Sequence, residues 1–155
     1  MILRPNWFAD NFHTVWLDGI KRGVIAVPAG EGRSSFIDVR DVAASAAAVL
    51  MTDRFDSNAF NLTGPEALGY YDAATVISKV ADRKLTYTPV VDDTFIQTAT
   101  RAGLPRDYAA FLASIFLPVR QGWTAGVTDD VSTLTGKRAR SFEQYAIDHA
   151  AALAS

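Results

Sequence analysis

The spacing of apolar residues changes once along the chain, near Asp92. Before this point, short β-branched or alternating stretches are separated by segments with helical periodicity, and after it only helical periodicity recurs. A strand, a helix and a further strand in succession predict a parallel crossover. The sequence therefore predicts an α/β fold in a single domain, with a partial parallel sheet over residues 1–91 and a mainly helical carboxy-terminal lobe over 92–155.

The predicted elements follow from this periodicity and from turn residues. A buried strand over residues 1–4 is closed by Pro5, which has no N–H for a sheet ladder. Gly19 and Gly23 lie where a helix starting at Phe8 is expected to stop. The other predicted strands are 23–28, 35–39, 58–64 and 85–90, and the other predicted helices are 42–51, 71–80, 93–102, 106–117, 129–134 and 141 to the end.

Two helix starts carry capping residues. Either Asp38 or Asp41 can cap the helix predicted over 42–51, because a carboxylate accepts hydrogen bonds from the free N–H groups of a first turn. Ser141 and Gln144 fit a capping box, in which each side chain satisfies the other residue's backbone N–H.

Composition excludes several classes of function. The net charge of -2 over 155 residues provides no positive field for a nucleic-acid partner. The absence of cysteine removes disulfides and cysteine nucleophiles, which fits a reducing cytoplasm. The longest apolar runs are far shorter than the roughly 20 residues that span a bilayer, and residues 1–5 lack the features of a secretion signal, so no membrane partner is expected.

Metal and phosphate sites have no support in the sequence. His13 and His149 lie near opposite ends of the chain without a ligand at metal-site spacing, so no metal is expected. His13 also lacks a visible orienting partner for a role as a base. Gly30 and Gly32 begin like a dinucleotide loop, but Ser35 replaces the third glycine and a strand follows, which predicts a turn.

Residues 3–12 form the most informative segment, because a strand leads through a proline directly into a helix. Ligands of open α/β sheets bind at the carboxyl ends of strands. Asn6 and Asn11 offer donors and acceptors there, and Trp7 and Phe8 offer flat apolar faces. The alternative is that Trp7 and Phe8 belong to the core and that Asn6 only caps the helix.

Five segments in order along the chain resemble the NmrA-like family of atypical short-chain dehydrogenases, and its quinone-reductase branch in particular. They are residues 3–12, 35–43, 61–65, 83–89 and 124–130. The resemblance implies a Rossmann-type sheet, NADP or NAD as cofactor, and hydride transfer to a quinone or another small planar or carbonyl substrate. It also implies that Pro5, Asn6, Trp7 and Phe8 bind the cofactor, and that Asp38 and Asp41 are structural.

Family members usually begin with a strand and a Gly-x-x-Gly-x-x-Gly loop more than a hundred residues before the Leu-Arg-Pro segment. This chain contains no such loop, so the resemblance implies a carboxy-terminal half. We therefore expect the edge of the first strand to be unpaired within the chain itself. A second copy of the chain in a homodimer covers it, or a complementary amino-terminal half covers it, or the fold has rearranged so that no open edge is left.

The chemistry expected of such a chain lacks a tyrosine acid, because no tyrosine has a lysine four residues later. Asn6 and Asn11 are then the candidate catalytic residues, acting electrostatically. Phe12, Tyr108 and Trp123 are candidate substrate-lining residues, although aromatic residues at such spacing more often belong to the core. One alternative is a non-catalytic, homodimeric regulatory module that senses a dinucleotide or binds a small molecule. The other is a cofactor-free enzyme, for which His13 is the only supporting residue.

Overall fold

A computed structural model describes residues 1–55 and 58–154. Strands β1 to β6 cover Ile2–Pro5, Val24–Ile25, Arg33–Ser34, Ala59–Leu62, Leu68–Gly69 and Thr86–Tyr87. Helices α1 to α9 cover Leu17–Lys21, Val39–Leu50, Tyr70–Val80, Asp92–Arg101, Arg106–Ser114, Leu117–Arg120, Asp130–Thr135, Phe142–Asp148 and Ala150–Ala154. Two 3-10 segments cover Ala9–His13 and Asp53–Phe55. The last residue of the predicted carboxy-terminal helix, Ser155, lies outside the described residues.

The predicted α/β class is confirmed, with parallel pairing and helices beyond residue 92. The pairing partners differ from the expectation. β4 and β6 do not pair with each other; β4 is parallel to β1, β6 is parallel to β2, and β3 pairs antiparallel with β5. Periodicity identifies strands but carries no information on which strand each one joins.

β1 is also less buried than predicted. Ile2 is 54% exposed, and β4 is the one strand that pairs with β1 in the described part of the chain. The strand predicted over 35–39 does not form: β3 ends at Ser34, α2 begins at Val39, and between them lies a single parallel bridge from Phe8 to Ile37.

The helix predicted from Phe8 to Ile20 is broken. The 3-10 segment Ala9–His13 ends at Thr14, whose backbone is not helical, and α1 starts again at Leu17. The apolar spacing still buries Phe12 and Ile20 completely. Gly19 does not stop the helix but lies inside α1, and its lack of a side chain is explained by the carbonyl oxygen of Val24, which a Cβ would approach to 2.7 Å. Gly23, with φ of +80°, follows the helix.

Asp38 is the residue that caps α2. Its carboxylate accepts from the backbone N–H of Arg40, so α2 begins at Val39, three residues before the predicted start. Asp41 instead accepts from the backbone N–H of Arg140 at 2.7 Å and pairs with its guanidinium. The expected capping box is half formed, because Ser141 accepts from the N–H of Gln144 but the Gln144 side chain donates to Asp148.

The core is aromatic. Phe12 lies at its centre with ring centroids 4.8 to 6.1 Å from four other rings, those of Trp16, Phe36, Tyr70 and Phe142. A smaller apolar cluster lies beneath α2 and α7 and consists of Ile37, Val49, Phe55, Leu62, Val131 and Leu134. Large buried rings supply most of the hydrophobic stabilisation of such a core.

An ion-pair network joins α2 to α8. The Arg40 guanidinium lies 2.6 Å from Asp38 and 2.7 Å from Asp148. Burial alone would raise the pKa of Asp38, but hydrogen bonds from the Arg40 side chain and backbone outweigh it and hold the pKa below its usual value of 3.8.

Asp38→Asn should lower the free energy of unfolding at pH 7 by about 1–2 kcal/mol, because the amide keeps the cap but loses the ion pair with Arg40. The loss is moderate because the Arg40 side chain is partly exposed to solvent. The contribution of Asp38 is fully present above its unfolded-state pKa and is lost as pH falls through the lower folded-state pKa. Urea unfolding from pH 7 to pH 2 should therefore show wild type and variant converging in acid. A gap of constant size at every pH would contradict this assignment.

Gly64 contacts backbone so closely that no side chain fits. A Cβ at Gly64 would overlap the carbonyl oxygen of Phe36, whereas nothing lies within 4 Å of one built on Gly126. Gly64→Ala should cost about 3 kcal/mol of stability, and the control Gly126→Ala should change it by less than about 0.5 kcal/mol. Thermal unfolding of both variants measures this difference, and equal effects would refute the close contact.

Candidate functional site

Two neighbouring cavities open at the carboxyl ends of β1 and β4, and both are lined by Pro5 and Asn6. We call them together the Asn6 cleft. The first has a volume of about 390 Å³ and is also lined by Arg4, Asn61, Thr63, Trp123, Gly126 and Thr128. The second has a volume of about 450 Å³ and is also lined by Trp7, Phe8, Asn11, Ile115, Pro118 and Thr124. The structure thus brings Pro5, Asn6, Trp7, Phe8, Asn11 and Trp123 to one place.

The side chain of Asn6 is fully engaged with protein groups. Its amide nitrogen donates to the hydroxyl of Ser35 at 2.6 Å and to the carbonyl of Thr124 at 2.8 Å. Its oxygen accepts from the backbone N–H of Trp7 at 2.8 Å. Since both N–H donors are used, Asn6 has none left to polarise a substrate, and its contacts make it a positioning residue.

Hydroxyl groups hold the loop of residues 123–128 against the strand ends. Ser35 donates to the carbonyl of Gly126 at 2.7 Å, and the hydroxyls of Ser34 and Thr124 lie 2.8 Å apart. The N–H of Thr128 donates to Thr63 at 3.0 Å. Four of the five segments that carried the family resemblance, residues 3–12, 35–43, 61–65 and 124–130, therefore meet at the cleft.

In the second cavity of the cleft, the side chain of Asn11 is a polar group that remains available. Its backbone N–H and carbonyl bond to Phe8 and Trp16, but its side-chain amide bonds to none of the residues that the structure describes. It lies one turn of the 3-10 segment beyond Phe8, which is 38% exposed. A free amide beside a flat apolar face is an arrangement that orients a planar ligand.

Trp7 satisfies both interpretations that the sequence allowed. It packs against Phe116 with ring centroids 5.0 Å apart and stacks on Trp16 at 6.1 Å, so one face belongs to the core. It also lines the cleft. On the side of Trp16, an apolar cavity of about 270 Å³ lies between α1, β2 and α4, with Asp18 and Arg22 among its lining residues.

Comparison with known proteins finds that the chain is similar to oxidoreductases. The chain is 36% identical over 152 residues to the uncharacterized oxidoreductase YesF of Bacillus subtilis, covering 97% of this chain and 53% of that protein. It is 32% identical over 151 residues to the NAD(P)H azoreductase of Xenophilus azovorans, covering 97% of this chain and 52% of that protein. No family model matches the chain.

Two solved structures share the fold. The NADPH complex of quinone oxidoreductase QOR2 from Escherichia coli superimposes with a TM-score of 0.85 at 23% identity, over 94% of this chain and 51% of that one. The negative transcriptional regulator NmrA, in complex with NAD, superimposes with a TM-score of 0.67 at 16% identity, over 94% and 51%.

These similarities to oxidoreductases agree with the resemblance to the NmrA-like family. The Rossmann-type fold is the one that the resemblance implied. The chain spans about half the length of the curated relatives it matches.

Two predicted substrate-lining residues lie outside the Asn6 cleft. Phe12 is fully buried at the centre of the aromatic core, so it has no surface to offer a substrate. Tyr108 lies on α5, is 53% exposed and lines neither cavity of the cleft. Trp123, which is 72% exposed, lines the cleft, and its role toward a substrate stays a prediction.

A histidine pair escaped the sequence prediction. The rings of His13 and His149 stack with centroids 4.1 Å apart, and His13 Nδ1 lies 2.6 Å from the hydroxyl of Tyr145. His13 therefore has the partner that the sequence did not reveal. The two histidines are far apart in the chain, so no local spacing could have indicated their contact.

Truncation of the Asn6 side chain should destabilise the chain far more than truncation of the Asn11 side chain. Asn6→Ala should lower the free energy of unfolding by about 2–3 kcal/mol, because it leaves the Thr124 carbonyl and the Trp7 N–H short of a partner. Asn11→Ala should change it by less than about 0.5 kcal/mol, because it removes no bond to a described residue. Urea unfolding of both variants tests the assignment, and a larger effect at Asn11 would reverse the two roles.

Proposed function

We propose that this chain forms the nicotinamide-side and substrate-side surface of an NAD(P)H-dependent reductase that transfers hydride to a quinone or another planar acceptor. The observation that carries the proposal is the free Asn11 amide beside the flat faces of Trp7 and Phe8 at the strand carboxyl ends. Relatives of the chain include an NAD(P)H azoreductase, and its fold neighbours include an NADPH-dependent quinone oxidoreductase.

The cleft fits the nicotinamide end of a dinucleotide. The cavity beside Asn11 has a volume of about 450 Å³, and Phe8 and Trp7 line it with aromatic surface. A carboxamide or a quinone carbonyl can accept a hydrogen bond from the Asn11 amide, which orients the planar ring against these faces.

The described residues do not fit the pyrophosphate. A dinucleotide loop needs glycines whose N–H groups face an anion at a helix start. Gly64 is packed against the Phe36 carbonyl and Gly32 against the Val119 carbonyl, so their missing side chains make room for protein backbone and not for a ligand. We propose that groups outside the Asn6 cleft, on a second copy of the chain, a complementary polypeptide or a further segment, bind the phosphates.

Reduced nicotinamide supplies a hydride when it is bound. For a quinone, one hydride and one proton give the hydroquinone, in which both carbonyl oxygens become hydroxyls, and no tyrosine of the sequence has a lysine four residues later. We propose that water supplies the proton, that Asn11 stabilises the developing negative charge on the acceptor oxygen, and that Asn6 positions the loop bearing Trp123. Trp123 then covers the open side of the acceptor.

A partner for the β1 edge is part of the proposal. Ile2 is 54% exposed and Met1 is 45% exposed beside a strand with one partner among the described residues. Exposed apolar strand edges promote pairing with another chain. We propose a homodimer as the first candidate assembly, and a complementary polypeptide as the second.

The competing function is dinucleotide sensing without turnover. It is favoured by one observation, namely that both N–H donors of Asn6 are used by protein groups and cannot polarise a substrate. The NmrA neighbour is a negative transcriptional regulator bound to NAD. Binding without hydride transfer would distinguish this function from the reductase.

The test combines mass measurement in solution, NADPH fluorescence and NADPH oxidation in the presence of a naphthoquinone or an azo dye. We expect an oligomer that binds NADPH and oxidises it only when an acceptor is present. Asn11→Ala should slow oxidation at least tenfold, whereas the exposed residue Gln97, replaced in Gln97→Ala, should be without effect.

The other outcomes are equally informative. NADPH binding by the wild-type chain without oxidation of any acceptor would support the sensor. If a purified oligomer neither binds NADPH nor oxidises it, the proposal is refuted for this chain.

A further inference from the structure

A cluster of potential metal ligands lies outside the Asn6 cleft, on the other side of the 3-10 segment Ala9–His13. It consists of Asp10 and His13 from that segment and His149, which follows α8. One nitrogen of each ring and one oxygen of Asp10 all lie within 4.8 Å of one another, and the three side chains are half-buried. Two parts of the chain, the 3-10 segment and the residue after α8, supply all three side chains.

Contacts behind the cluster hold two of the three side chains. The hydroxyl of the fully buried Tyr145 lies 2.6 Å from Nδ1 of His13. When Nδ1–H donates to this hydroxyl, Nε2 carries the lone pair, which is the arrangement that supporting groups impose on metal-bound histidines. Asp10 Oδ2 accepts from the N–H of Val39 at 3.0 Å, which leaves its other oxygen for a ligand.

The surrounding charge favours a cation. Asp38 lies close enough to His13 to act on it electrostatically, and Asp148 adjoins His149 in sequence. Arg40 bridges these two carboxylates and supplies one positive charge between them. Arg140, which pairs with Asp41, also acts on Asp38, so with Asp10 included four carboxylates meet two guanidiniums and the net charge is negative.

We propose that Asp10, His13 and His149 bind a divalent transition-metal ion of the Zn²⁺ class. Two imidazoles and one carboxylate are ligands that Zn²⁺ prefers, and three protein ligands leave a coordination position for water. With metal–ligand bonds of about 2.1 Å, tetrahedral ligand atoms lie roughly 3.4 Å apart. Binding therefore requires the three ligand atoms, which lie within 4.8 Å of one another, to move closer together.

The site has a structural consequence that does not rest on the proposed reductase function. Asn11 lies between two of the ligands, so an ion bound to Asp10 and His13 restricts the segment that carries the free amide of the cleft. Through His149 the same ion connects this segment to α8 and α9. Metal binding should therefore raise the temperature of unfolding of the chain.

The chain is well suited to a clean test, because His13 and His149 are its only histidines and it has no cysteine. Untagged protein is titrated with Zn²⁺ calorimetrically in a buffer that does not chelate it, and with Co²⁺ while visible absorption is recorded. We expect one Zn²⁺ per chain, an intense absorption band of tetrahedral Co²⁺, and a rise in unfolding temperature with Zn²⁺ but not with Mg²⁺.

Variants assign the binding to the cluster. His13→Gln, His149→Gln and Asp10→Asn should each weaken Zn²⁺ binding at least tenfold, and the control Asp107→Asn, which changes an exposed carboxylate on α5, should bind as wild type. Unchanged affinity in the two histidine variants would overturn the proposal. So would a wild-type chain that binds no Zn²⁺, and this last result does not depend on whether any variant folds.

Discussion

The three hydrogen bonds of the Asn6 side chain connect the parts of the molecule that make the cleft. They join the end of β1 to Ser35, to the loop at Thr124 and to the backbone of Trp7. Each of these partners continues into a segment that lines the cleft or supports it. Asn6 can do this only because it has two donors and an acceptor on a short side chain. Because both N–H donors of Asn6 are used, we propose Asn11 as the residue that contacts the ligand.

The sequence predicted features that depend on local chemistry. Asp38 caps a helix because its carboxylate reaches the next N–H groups, and residues 30–32 form a turn because a strand follows them, so both predictions required only neighbouring residues. The cleft itself was located from one strand, one proline and the aromatic residues after it. The family resemblance extended this local reasoning, since four of its segments meet there.

Features that depend on distant contacts were not predictable in this way. Phe12 has the spacing of a residue on a helix face, but the break at Thr14 and four surrounding rings place it in the core. The strands were identified without their partners, and β4 joins β1 instead of β6. The contact of His13 with His149 requires the carboxy-terminal helices to fold back over the 3-10 segment, which no pattern in either segment encodes.

We propose that Asn11 contacts the bound nicotinamide while Asn6 remains occupied by the protein. The most direct measurement records the side-chain amide signals of ¹⁵N-labelled chain by NMR during titration with NADPH. We expect the Asn11 amide signal to shift until the site is saturated and the Asn6 amide, held by Ser35 and Thr124, to change little. A large shift of Asn6 with an unaffected Asn11 would contradict it.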